Sequence, residues 1–205
     1  IVIKNETKMK NVLIKADSYL MEENETADVV GTYSLQQNHY DLSAQLNNID
    51  VATLHGFVPQ IPPDLTGNVN GVLTARGNAK QWKDSEAEIK FQDSFFKHNE
   101  LEVRVKNDST VSLKQRNLIA DLNVTLPEGD LQLQGKLPIE GNGAADLHAV
   151  GNVDLKVASI FTDQVVLTGK AAVDVRVQGS LKNPQILGDL KSQNFTADYP
   201  LQNLH

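Results

Sequence analysis

A chain of 205 residues is long enough for one large domain or two small ones, and only 5% of it is aromatic. Its net charge of −7 argues against nucleic acid, whose phosphates require clustered Lys and Arg. The absence of Cys excludes disulfides, thiolate catalysis and Cys-based zinc sites.

No apolar run approaches the roughly 18 residues of a membrane span, and no signal peptide is visible. The chain opens on Ile1-Val2-Ile3 and ends soon after Tyr199-Pro200-Leu201, which reads as a piece of a longer protein. Side chains alternate across a strand, so a period of two predicts strands with one apolar and one wet face. Ala27, Val29, Gly31, Tyr33 and Leu35 alternate with Asp28, Val30, Thr32 and Ser34. Tyr40, Leu42, Ala44 and Leu46 repeat the pattern. Ala87, Ile89 and Phe91 follow, then Leu101, Val103 and Val105. Leu118 to Leu126, Leu131 to Ile139, Ala145 to Val157 and Ala171 to Val177 continue it. Asn107-Asp108-Ser109, Pro127-Glu128-Gly129-Asp130 and Gly141-Asn142-Gly143 predict turns. Such short connections favour antiparallel neighbours and a meander.

Two stretches switch to a spacing of three behind an Asp, which predicts one or two short helical turns. In the first, Val51, Leu54 and Phe57 follow Asp50; in the second, Leu155, Ala158 and Phe161 follow Asp154. Together they expose an internal repeat of about 104 residues. Asn48-Ile49-Asp50-Val51 matches Asn152-Val153-Asp154-Leu155, and Leu65-Thr66-Gly67 matches Leu167-Thr168-Gly169. Gly77 and Lys80 match Gly179 and Lys182. The expected fold is all-β: an elongated, curved, mostly antiparallel sheet built from repeats. One continuous structure is expected over 1–205, with units at about 27–126 and 131–205, the second truncated.

Catalytic and metal-binding patterns are missing. The five His, at 39, 55, 98, 148 and 205, form no HExxH or closely spaced pair. No GxSxG elbow occurs, and nothing pairs two carboxylates in a cleft. The expectation is a protein that is not an enzyme and carries no cofactor. What covers the apolar face becomes the functional question. Either a second sheet packs on it and makes a sandwich, or the sheet curls into a trough whose apolar inside holds a ligand. Few aromatics and many Ala, Val and Gly suit an open interior, and an acyl chain suits the space, at about 0.8 kcal/mol per buried CH₂.

The second repeat resembles the translocation and assembly module B (TamB) family, relatives of the AsmA-like proteins. The resemblance lies in Asn152-Val153-Asp154-Leu155, then Leu167-Thr168-Gly169, then the alternation from Ala171 to Val177. It closes on Gly179-Ser180-Leu181-Lys182-Asn183-Pro184-Gln185-Ile186-Leu187-Gly188. The first unit departs from it, with Trp82 where Pro184 stands in the second. The resemblance implies a taco-like β-trough in the periplasm, anchored in the inner membrane by a segment not present here. It implies work in outer-membrane protein assembly and lipid movement between membranes, with an Omp85-type outer-membrane barrel as partner through another part of the parent chain. Phospholipid acyl chains would then slide along the apolar face while head groups stay in water. The candidate lining residues are Leu73, Ile89, Leu101, Val103, Leu122, Leu131, Leu133, Leu147, Val173, Val175 and Val177. The competing reading is a structural β-repeat of a surface or adhesin-like protein, with a filled interior and no lipid.

Overall fold

The computed structural model describes residues 11–18, 26–54, 63–98, 101–140, 143–155, 166–180 and 183–198. Thirteen strands join one antiparallel sheet. In chain order they are β1 (Asn11–Ser18), β2 (Thr26–Ser34), β3 (His39–Asp50), β4 (Leu65–Asn78), β5 (Glu86–Phe91), β6 (Ser94–His98) and β7 (Leu101–Val105). Then follow β8 (Thr110–Lys114), β9 (Asn117–Leu126), β10 (Gly129–Pro138), β11 (Ala144–Asp154), β12 (Val166–Ser180) and β13 (Asn183–Asp198). The helix α1 (Val51–Leu54) follows β3, and a 3-10 turn occupies Trp82–Asp84.

Neighbours in sequence are neighbours in space, as short connections require. β5 and β6 both pair with β4, while β7 and β8 both pair with β9. Across the middle, β5 pairs with β8 and β6 with β7. Each of these two couples is therefore one long strand interrupted by a bulge. The thirteen segments act as eleven strands in a plain up-and-down meander.

The bulges explain a difference from the sequence reading. Asn107-Asp108-Ser109 reads as a hairpin turn, yet the chain runs on along β9 from Val105 to Thr110. Asp108 takes φ 68 there, and Asp93 takes φ 41 between β5 and β6. Asn and Asp tolerate this left-handed conformation better than other non-Gly residues, so a bulge forms where a turn is expected. Asn48 (φ 54) marks the same event in β3, where the register with β4 shifts between Leu46 and Ile49. A second difference concerns Pro184 to Gly188, the turn-like end of the resemblance, which lies inside β13.

α1 starts where a helical turn is expected, with the Ala52 N–H donating to Asp50 Oδ1 at 2.7 Å, an N-cap contact. Of the second expected turn only Asp154 and Leu155 lie within the described residues. The repeat carries into structure at matched positions. Ile49 and Val153 are buried one residue before their strands end, Val51 and Leu155 are buried just beyond, and Gly67 and Gly169 both take positive φ.

The closed part of the core sits at this end of the sheet. Ile49, Val51, Val69, Phe91, Val105 and Val124 form a buried cluster, with the Phe91 and Phe96 rings edge to face at 6.5 Å. The opposite strand ends are held by charge. Arg116 sits in the two-residue β8–β9 turn with Gln115, both at positive φ, as a twisted hairpin turn demands. Its guanidinium Nε donates to Asp84 Oδ1 at 2.7 Å and Nη1 reaches Glu140 at 3.4 Å, while Lys83 meets Glu140 at 2.7 Å.

Candidate functional site

The cross-strand register builds the site. Residues directly opposite in an antiparallel pair share a face, so the pairings can be followed across the sheet. One such row runs Ala16, Val29, Ala44, Leu73, Ile89, Val111, Ala120, Gly135, Leu147, Val177 and Ile186. It visits all eleven strands and contains no polar side chain. At roughly 4.8 Å per strand its length is about 48 Å. One residue away along each strand, and so one pleat over, the opposite face reads Asp28, Gln45, Val72, Lys90, Thr110, Asp121, Gln134, His148 and Arg176.

The candidate lining residues fall on the apolar face. Leu73, Ile89, Leu147 and Val177 belong to the row just followed. Leu122, Leu133 and Val175 share the next row, joined through Ala149. Leu131 and Val173 share the one after it, joined through Gly151. Val103 and Leu101 extend the face on β7, opposite Phe96 and His98. All eleven are half-buried. The buried apolar residues are different ones, six of them in the cluster of Ile49 and Val51, against which Ile89, Val103, Leu122 and Leu131 of the candidate lining pack. Sequence reasoning missed Val29, Val111 and Ile186 as members of the longest row. Val111 and Leu113 do alternate with Ser112 and Lys114, and that signal was readable.

Glycine keeps the face shallow at points of close approach. A Cβ on Gly135 would stand 2.0 Å from the Asp146 carbonyl oxygen, and its φ of 139 also excludes ordinary side chains. Two serines, Ser94 and Ser109, enter the apolar face fully buried. Neither leaves a free hydroxyl. Ser109 Oγ accepts from the Asn123 N–H at 2.9 Å and donates to the Asn123 carbonyl at 3.2 Å. The hydroxyl closes the ladder that the bulge opened, so the face stays free of unsatisfied donors at that point.

Charge is confined to the other face and to the strand ends. A cleft of about 490 Å³ on the polar face is lined by Asp41, Arg76, Glu86 and Lys114 among others. Arg76 Nε donates to Glu86 Oε2 at 2.9 Å, and this hydrogen bond holds the Glu86 carboxyl below its ordinary pKa. The Arg116 guanidinium does the same for Asp84, the Lys83 ammonium for Glu140, and Lys106 for Asp130. Among the described residues no group of three or more His, Asp or Glu is placed to hold a metal ion. No helix among them is long and apolar enough to cross a membrane.

No family model, no curated protein and no solved structure matches this chain.

Proposed function

We propose that this chain is a segment of a lipid conduit, whose apolar face carries phospholipid acyl chains between membranes. The observation that carries the reading is the eleven-strand row without a polar side chain, half-buried along the candidate lining. A hydrocarbon tail lying on it covers Leu, Val and Ile surface, at about 0.8 kcal/mol for each CH₂ removed from water. The same surface offers no hydrogen bond that would arrest a tail at one strand, so movement along the row needs no chemistry. Charged groups on the other face and at the strand ends keep head groups in water. A place in the periplasm, an inner-membrane anchor and an outer-membrane barrel partner through the rest of a longer chain extend the proposal.

The test is native mass spectrometry of the chain purified from a bacterial periplasm, followed by lipid extraction. Phospholipid should co-purify with the wild type and be lost in Leu133→Asp and Val175→Asp, both cooperatively folded. A folded wild type with no lipid and no uptake of a fluorescent fatty acid would favour the structural, adhesin-like reading.

A further inference from the structure

We infer that the polar face carries a binding site of its own, a cleft across β4, β5 and β8 that takes a neutral oligosaccharide. The cleft has its cause in the register. Thr74, Glu88 and Ser112 stand directly opposite one another, and Ile119 follows on β9. Thr74 and Ser112 are short and leave a depression. Arg76, Glu86 and Lys114, two residues along the same strands, are long and wall it. The space is about 490 Å³, within the roughly 300–1,000 Å³ of small-molecule sites.

The polar groups inside it are left over by the fold. Arg76 and Glu86 satisfy each other, with Nε donating to Oε2 at 2.9 Å. The side chains of Thr74, Glu88, Ser112 and Lys114 make no hydrogen bond or ion pair among the described residues. Further along the same face the pattern is different. Lys90, His148 and Arg176 each meet a carboxylate, and Gln134 and Gln178 each donate to one. One concavity therefore gathers two hydroxyls, a carboxylate and an ammonium without partners. The carboxylate lies between the hydroxyls on adjacent strands, at about 5 Å between Cβ atoms.

The chemistry of these groups selects the ligand. A carboxylate accepts from two vicinal hydroxyls at once, while an ammonium and protein hydroxyls donate back to sugar oxygens. Ile119, 39% exposed, offers an apolar wall to the C–H face of a sugar ring. Anions are disfavoured, because Asp41, Glu86 and Glu88 outnumber Arg76 and Lys114 around the cleft. A divalent cation would want several acidic ligands, and among the described residues no group of three or more His, Asp or Glu is placed to hold one. A neutral ligand rich in hydroxyls fits the donors and acceptors present. The inference does not rest on the lipid reading, since the cleft lies on the face opposite the apolar row.

Amide chemical-shift titration of the full chain tests it, with maltotriose, cellotriose and tri-N-acetylchitotriose as probes. At least one should move the signals of Thr74, Glu88 and Ser112 and leave those of Gln134 and Arg176 in place. Glu88→Ala and Lys114→Ala should each weaken that binding at least roughly tenfold, the worth of a hydrogen bond to a charged group. Both side chains are exposed, so both variants should melt with the wild type, which separates a lost site from a lost fold. Three results would overturn the inference. One is no shift with any of the three sugars up to about 10 mM, ten times what half-fills a millimolar site. Another is binding that survives Glu88→Ala unchanged. The third is movement of these amides by inorganic phosphate or calcium and not by the sugars, which would make the cleft an ion site.

Discussion

Ser94 Oγ bridges both backbone groups of Asn70, accepting from its N–H at 2.8 Å and donating to its carbonyl at 3.0 Å. A side chain thus does the work of a strand residue where Gln92 and Asp93 bulge out of the ladder. The Asn70 amide extends the repair on the polar side. Its Oδ1 accepts from the Asn48 N–H at 2.7 Å, and its Nδ2 donates to the Asp93 carbonyl at 3.2 Å. Asp93 N–H then donates to Asn107 Oδ1 at 2.9 Å, so the bulges of β3, β5–β6 and β7–β8 are tied into one line through Asn70 of β4.

Ser94→Ala removes the bridge and leaves the Asn70 N–H unpaired, while its carbonyl keeps the Gln92 N–H at 2.9 Å. One such group costs about 1–3 kcal/mol, so the variant should lose about 1–3 kcal/mol in urea unfolding. Ser109→Ala, which orphans the Asn123 N–H while its carbonyl keeps the Lys106 N–H at 2.8 Å, should lose a similar amount. A loss below about 0.5 kcal/mol in both would mean that the hydroxyls are not part of the ladder.

Glycine positions divide by what surrounds them. Gly135→Ala drives a methyl to 2.0 Å from the Asp146 carbonyl at φ 139, and should cost about 2–3 kcal/mol. Gly179 also has positive φ, but its nearest neighbour would be at 3.5 Å. Gly179→Ala should therefore cost only the backbone strain, about 1 kcal/mol. Thermal denaturation of the two variants side by side reads the difference.

The closed core and the open face should respond differently to substitution. Ile49 is 2% exposed, and Ile49→Ala should destabilise by about 3 kcal/mol through lost contacts and a cavity. Leu133 is half-buried with no second layer against it among the described residues, so Leu133→Asp should keep a cooperative unfolding transition. If Leu133→Asp unfolds the chain as severely as Ile49→Ala, the face belongs to a closed core.

Stability should fall with acid in a defined window. The folded pKa values of Asp84, Glu86, Asp130 and Glu140 lie below their ordinary values, chiefly because each accepts a hydrogen bond from a cation. A depressed folded pKa contributes stability fully above the unfolded value and loses it as pH falls through the folded value. Melting temperature should therefore hold from pH 7 to about pH 5 on account of these groups, and drop below about pH 4.5. Arg116→Gln should make the drop shallower by freeing Asp84. Asp84, Asp130 and Glu140 are exposed and Glu86 is half-buried, so 1 M salt should flatten the profile further.

The alternation of side chains made the face legible from sequence. Leu131 and Leu133 opposite Gln132 and Gln134 could only be a strand with two unlike sides, and the lining candidates do share one side. The bulges were not legible. Asn107-Asp108-Ser109 carries the chemistry of a turn, and only the long-range pairing with β9 makes it a bulge. Nor was β13 legible, because Pro184 and Gly188 interrupt its pattern and no packing partner covers its side chains. Edge strands are set by pairing with a neighbour, and that information is not local.

The most direct measurement is photo-crosslinking in a periplasm with benzoylphenylalanine placed at single positions. Substitution at Leu122, Leu133 and Val175 on the apolar row should yield phospholipid adducts. Substitution at Gln132, Gln134 and Arg176, one pleat away on the polar face, should yield none. Equal labelling of the two sets, or no adduct at any of the six positions, would contradict the conduit.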